Sequence, residues 1–142
     1  MKTVFVNTKT IKRQWYIIDA NDVVVGRLAT RISAMLMGKG KPLYAPSQDL
    51  GDYMVVVNAD KVRLTGKKAD AKTYFRHTLH PGGGRFRTFK KQRELDSTKI
   101  VRLAVRGMLP KTVLGNAIIK KLFIYCGEAH PHTAQKPAPL TV

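Results

Sequence analysis

Four histidines, one cysteine and nine carboxylates are the side chains here that could carry metal, proton or nucleophilic chemistry. Cys126, His130 and His132 are close in sequence, and His77 and His80 are three apart. These are ordinary zinc-ligand types. Cys-x3-His-x-His is not a finger spacing, however, and Pro131 stiffens the link between the two histidines. Histidines that donate to phosphate or pack on ribose fit better than a metal site. The acids are scattered, and Asp19, Asp22, Asp49, Asp52, Asp60 and Asp70 stand beside turns or strand ends, where carboxylates cap backbone N–H groups. A magnesium-dependent nuclease would need two of them to meet, for which Asp49 and Asp52 around Gly51 are the candidates. A structural role suits that turn better. The run Gly82 to Gly84, followed by Arg85, would let backbone N–H groups approach a phosphate. No Walker loop or dinucleotide fingerprint accompanies it, so a turn that bends a basic segment is preferred. No catalytic residue, metal, cofactor or small-molecule substrate is expected.

The basic residues are far more numerous: 26 Lys and Arg against 9 Asp and Glu, a net charge of +17 in 142 residues. Such an excess repels itself unless a polyanion neutralises it, and nucleic acid is the commonest such partner. The window Asp60 to Glu94 holds 11 basic residues against 3 acidic ones, a net of +8. Tyr74, Phe75, His77, His80, Phe86 and Phe89 are interleaved with them, side chains able to stack on bases. The residues expected to meet nucleic acid are Arg27, Arg31, Lys39 and Lys41 at and after a first helix. Within the arm they are Lys61, Arg63, Lys67, Lys68, Lys72, Arg76, His77, His80, Arg85 and Arg87. Arg106, Lys111, Lys120, Lys121, His130 and His132 complete the set toward the C-terminal end.

Positioning these groups requires a core, and a 44% hydrophobic fraction supplies one for a single domain over residues 1–142. Trp15 to Ile18 reads as a strand, with Trp15 as a buried anchor. Leu28, Ile32, Met35 and Leu36 recur at helical spacing up to Met37, and Gly38 to Pro42 ends that helix. Arg27 and Arg31 fall four apart on another face. Tyr53 to Asn58 is apolar at successive positions, as in a strand covered on both faces, which points to a parallel sheet between helices. Lys61 to Gly66 extends toward a further strand or ribbon, and residues of about 61–93 form an irregular basic arm around Pro81 to Gly84. Ser97 or Thr98 caps a helix bearing Ile100, Val101, Ala104 and Met108, and Thr112 caps another bearing Leu114, Ala117, Ile118 and Leu122. Leu122 to Cys126 is a last strand. Residues of about 128–142, with three prolines, run extended over the surface. Met35, Met37, Met54 and Met108 fill the core.

No run approaches about eighteen consecutive apolar residues, so no bilayer span or membrane partner is expected. Met1 to Lys12 lacks the apolar core of a signal peptide, and the lone Cys126 makes no internal disulfide. A soluble, intracellular protein is expected.

Several stretches, in their order and spacing, resemble one family. They are Trp15 to Ala20, Gly26 to Thr30, Gly51 to Tyr53, Val57 to Val62, Thr65 to Lys68, Arg106 to Lys111 and His130 to Gln135. The chain closely resembles ribosomal protein L thirteen of the bacterial large subunit from about Trp15 to Leu140. The resemblance implies a three-layer α/β/α fold with a four-stranded mostly parallel sheet. It also implies binding to large-subunit ribosomal RNA beside neighbouring large-subunit ribosomal proteins, a part in early assembly, and no enzymatic activity or cofactor. Bacterial cytoplasm is the implied location, ahead of an organelle ribosome. Two positions depart from the family pattern. Thr112 to Asn116 stands where Gly-Pro-Leu-Gly-Arg is usual, which removes a basic side chain at Asn116, and Arg76 replaces one of a pair of histidines with a permanent cation. A general nucleic-acid-binding regulator and a translational repressor are the alternative functions.

Overall fold

The computed structural model describes Val6 and residues 11 to 141. Most of the N-terminal stretch read above as lacking a signal core, and Val142, lie outside the described residues. Strand β1 (Trp15–Asp19), helix α1 (Val25–Met37) and strand β2 (Tyr53–Val57) open the fold. The two strands pair in parallel, from Trp15 opposite Tyr53 to Asp19 opposite Val57. Near the C-terminal end, β5 (Leu122–Ile124) adds in parallel to the free edge of β2, and β6 (Ala138–Pro139) to that of β1. The four-stranded sheet therefore has the order β5-β2-β1-β6 with every pair parallel. Between β2 and β5 lie a short helix α2 (Lys68–Ala71), strands β3 (Thr73–His77) and β4 (Gly84–Thr88), and helices α3 (Phe89–Met108) and α4 (Val113–Ile118).

Two of the connections, β1 to β2 and β2 to β5, step the same way across the sheet. Right-handed crossovers then deliver their helices to one face. There Ile18, Met54, Val56, Leu122 and Ile124 pack with Leu28, Ile32 and Leu36 of α1, Ile100, Val101 and Val105 of α3, and Ile118 of α4. Each large aliphatic side chain buried in this way contributes roughly 1.5–3 kcal/mol. The return from β5 to β6 reverses direction and crosses the opposite face. Its cover is not a helix but the segment after Tyr125, whose His132 ring lies 4.5 Å from Phe123 and 5.1 Å from Trp15. Trp15 stacks on Tyr53 at 4.5 Å, half-buried within this aromatic layer rather than fully enclosed. The sheet is thus covered on both faces, as the unbroken apolar run of β2 anticipates.

Several local expectations change. The basic arm is ordered: β3 and β4 form an antiparallel hairpin with Thr73 opposite Thr88 and His77 opposite Gly84. Only Arg63 of the Lys61 to Gly66 stretch joins a bridge, to Val24. Helix α3 starts at Phe89, capped by Thr88, and is broken at Asp96 (φ −166°, ψ 96°). Asp96 itself caps the second half, its carboxylate accepting from the Thr98 hydroxyl (2.6 Å) and the Lys99 N–H (3.3 Å). The expected start near Ser97 holds, while the capping side chain is one residue earlier because Asp96 is the residue with extended backbone. Thr112 caps α4 as expected, accepting from the Gly115 N–H. Of the methionines, Met54 is in the core, but Met108 is 42% exposed and accepts a contact from the Thr30 hydroxyl at 3.6 Å.

Candidate nucleic-acid interface

Beside the last turn of α1, the turn into β2 brings Asp49 and Asp52 against Arg13, Lys41 and Lys121. A Cβ at Gly51 would stand 1.6 Å from the Leu36 carbonyl oxygen, so only glycine lets this turn press against the helix end. The Lys121 ammonium reaches the same carbonyl at 3.4 Å and the Asp49 carboxylate at 2.5 Å. Arg13 contacts Asp49 from the other side, and Lys41 donates to Asp52 (2.6 Å) and to the Leu50 carbonyl (2.9 Å). Asp52 also accepts from the Gln14 N–H, anchoring the entry to β1. Lys121, one of the side chains expected to meet nucleic acid, is 6% exposed and tied to Asp49. The same contacts occupy Asp49 and Asp52 with lysines and an arginine, in a structural role. Burial pulls the Lys121 pKa down, against the pull of Asp49.

His132, also expected to meet nucleic acid, is held within the protein. Its Nε2 is 2.8 Å from the Tyr125 hydroxyl and its ring lies among Phe123, Trp15 and Tyr125, which fixes the tail on the sheet. His130 turns Nδ1 to the His132 N–H at 3.2 Å, and the Cys126 sulfur lies 3.3 Å from the Ser97 hydroxyl. Each of the three zinc-ligand types near the C-terminal end therefore has its own partner. Among the described residues no group of three or more His, Cys, Asp or Glu is gathered to hold an ion. Nor is any described helix long and apolar enough to cross a membrane.

Most of the other cations among the described residues lie on the outside. Arg27 and Arg31 project from α1, Lys39 follows it, and Lys61, Lys67, Lys68 and Lys72 are exposed. Arg63 is exposed beside Asp22, and Lys72 lies over the Tyr74 ring at 5.3 Å. Arg76, His77, His80 and Arg85 are exposed on the hairpin, with Arg87 half-buried at its base. Burial of Tyr74 at that base raises its pKa. Three shallow hollows link these groups to α3 and α4. One runs from Gly26 past Lys68, Lys72 and Tyr74 to Leu103. A second runs from Leu103 past Arg106 and Lys111 to Asn116. The third shares Leu103, Arg106 and Asn116 with the second, and adds Lys99 and Arg102. Their common borders make one basic surface from the start of α1 across α3 to α4.

Lys99 and Arg102 were missed by sequence reasoning. Their spacing with Arg106, three and four apart, places them on one helical face, a signal present in the sequence. Lys99 also pairs with Asp96 at 3.0 Å, as Lys90 does with Asp70 at 2.7 Å, and Arg93 donates to the Asp60 carbonyl at 2.8 Å. Lys111 and Lys120 are exposed on either side of α4, where Asn116 borders the hollow without a charge.

Comparison with known proteins gives concordant matches. A model of the family described as Ribosomal protein L13 matches residues 13–131. The chain is 51% identical over 142 residues to the large ribosomal subunit protein uL13 of Nitrosomonas europaea, covering 100% of this chain and 99% of that one. It is 50% identical over 140 residues to the uL13 of Maridesulfovibrio salexigens, covering 99% of each. Against the uL13 of Thermosipho africanus the identity is 48% over 139 residues, 98% of this chain and 93% of that one.

Proposed function

This chain belongs to the ribosomal protein L13 family, and from that premise we propose that it is a structural, non-enzymatic constituent of the large ribosomal subunit. In this reading it binds large-subunit ribosomal RNA beside neighbouring ribosomal proteins in the cytoplasm, and supports early subunit assembly as one domain over residues 1–142. The observation that carries the proposal is identity near 50% across essentially the whole chain to relatives named as large-subunit proteins. The basic surface supports it physically.

Phosphates attract Lys and Arg through released counterions, a term that positions a protein on RNA without reading sequence. Arg27, Arg31, Lys39, Lys61, Arg63, Lys67, Lys68, Lys72, Arg76, Arg85, Arg106, Lys111 and Lys120 are the side chains proposed to do this, joined by Lys99 and Arg102. His77, His80, Arg87 and His130 border them, and Lys41 acts mainly through Asp52. Shape and phosphate contacts dominate because A-form RNA hides its major-groove edges. The test is sedimentation of large subunits through a high-salt wash, with the protein followed by mass spectrometry. Stoichiometric retention is expected. Release into a free pool under mild salt, or equal binding to unrelated structured RNA, would overturn the assignment in favour of a general nucleic-acid binder.

A further inference from the structure

We propose that the outer face of the β3–β4 hairpin is a stacking platform for unpaired RNA bases, a finer statement that rests on the RNA-binding role above. Side chains alternate along paired strands. Phe75, His77 and Phe86 therefore share one face, while Tyr74, Arg76, Arg85 and Arg87 share the other. Tyr74 packs against the core and Arg87 is half-buried, so the arginine face is the one turned to the body. The aromatic face looks to solvent, with Phe75 61% and Phe86 72% exposed. This inverts the usual pattern of a packed antiparallel pair, apolar inward and polar outward.

The rings are also arranged. Phe75 and Phe86 are directly opposite across the strands, 4.9 Å apart at 45°, and His77 lies 6.2 Å from Phe75. A Cβ at Gly84 would come within 3.3 Å of the Phe75 ring, so the glycine leaves the space in which that ring settles. Charge complementarity selects the occupant. The rings lie in the segment with net +8, and Arg76 and Arg85 face each other directly behind them. A strand of RNA brings open base faces for the rings and phosphates drawn by the positive field of this segment, and base–aromatic stacking is tolerant of sequence. A fully paired A-form helix offers no open base faces, which restricts the site to a loop, bulge or end.

The test compares the intact protein with a Phe75→Ala/Phe86→Ala variant for binding to protein-free large-subunit ribosomal RNA over a series of salt concentrations. Because both rings are exposed, the thermal midpoint of the variant is expected to match that of the parent. Affinity is expected to fall about tenfold or more with an unchanged slope of log affinity against log salt, since stacking adds no phosphate contact. A Phe75→Trp/Phe86→Trp variant is expected to retain the parent affinity. Parent-like RNA binding by the alanine variant would overturn the platform, and poor incorporation of that same variant into subunits would assign the face to a protein neighbour. Failure of the parent itself to bind the RNA would instead overturn the RNA-binding reading.

Discussion

Lys121 and its neighbour Lys120 look alike in sequence, yet one is at 6% exposure against Asp49 and the other is on the surface. What separates them is three-dimensional: Lys121 ends the turn before β5 just where the last turn of α1 offers the free Leu36 carbonyl. A cation there complements the negative end of the helix dipole. Removing Lys121 leaves Asp49 only the 3.5 Å contact with Arg13, so Lys121→Met is expected to cost about 3 kcal/mol in urea unfolding. RNA affinity, measured on the folded variant, is expected to stay near the parent value. Asp96 supplies a second prediction. The Thr98 hydroxyl, then Lys99, holds its carboxyl below the ordinary 3.8, so the folded state favours the ionised form. The stability this adds is present above pH 3.8 and lost as pH falls through the depressed value. At neutral pH, Asp96→Ala is expected to cost about 1 kcal/mol as a lost cap. Urea titrations at a series of pH values are expected to show that deficit shrinking below pH 3.8.

At the scale of elements, β1, α1, β2 and the cap of α4 were legible because each rests on a local signal: an apolar run, a helical stripe, or a Thr three residues before the N–H it accepts from. The hairpin was not. Thr73 to His77 and Gly84 to Thr88 carry charges and aromatics in an order that matches no half-buried strand, because the face away from the body is the apolar one. Arg76 directly opposite Arg85 is a like-charge pair that works against the free hairpin. Arg85→Thr is therefore expected to raise the thermal stability of the free protein slightly, by about 0.5 kcal/mol. The same change is expected to weaken RNA binding and lower its salt slope by about one. Opposite signs in the two measurements would mark a group kept for binding at a cost to folding; a loss in both would assign Arg85 to structure.

For the whole molecule, the net charge of +17 sets a condition on the free protein, since most cations among the described residues are exposed without an acidic partner. Raising salt from about 50 mM to about 200 mM is expected to raise the free protein's melting temperature while reducing RNA affinity by orders of magnitude. A melting temperature that falls with salt would mean that the ion pairs around Asp49 and Asp52 outweigh the repulsion. Charge alone pointed to a polyanion, and the family was legible from motif order. That both sheet faces are covered was legible in β2, but not what covers the second, because that depends on the reversal of direction between β5 and β6, a property of topology. That reversal has a temporal side. Tyr16 pairs with Ala138, so about 120 residues must be made before the outer edge of β1 meets its partner, and contacts so distant in sequence form late. During synthesis β1 carries an open edge able to pair with other chains. Its closure by two residues of the tail, with the Leu140 N–H donating to the Ile17 carbonyl at 2.8 Å, makes the last-made part of the sheet the guard of the first.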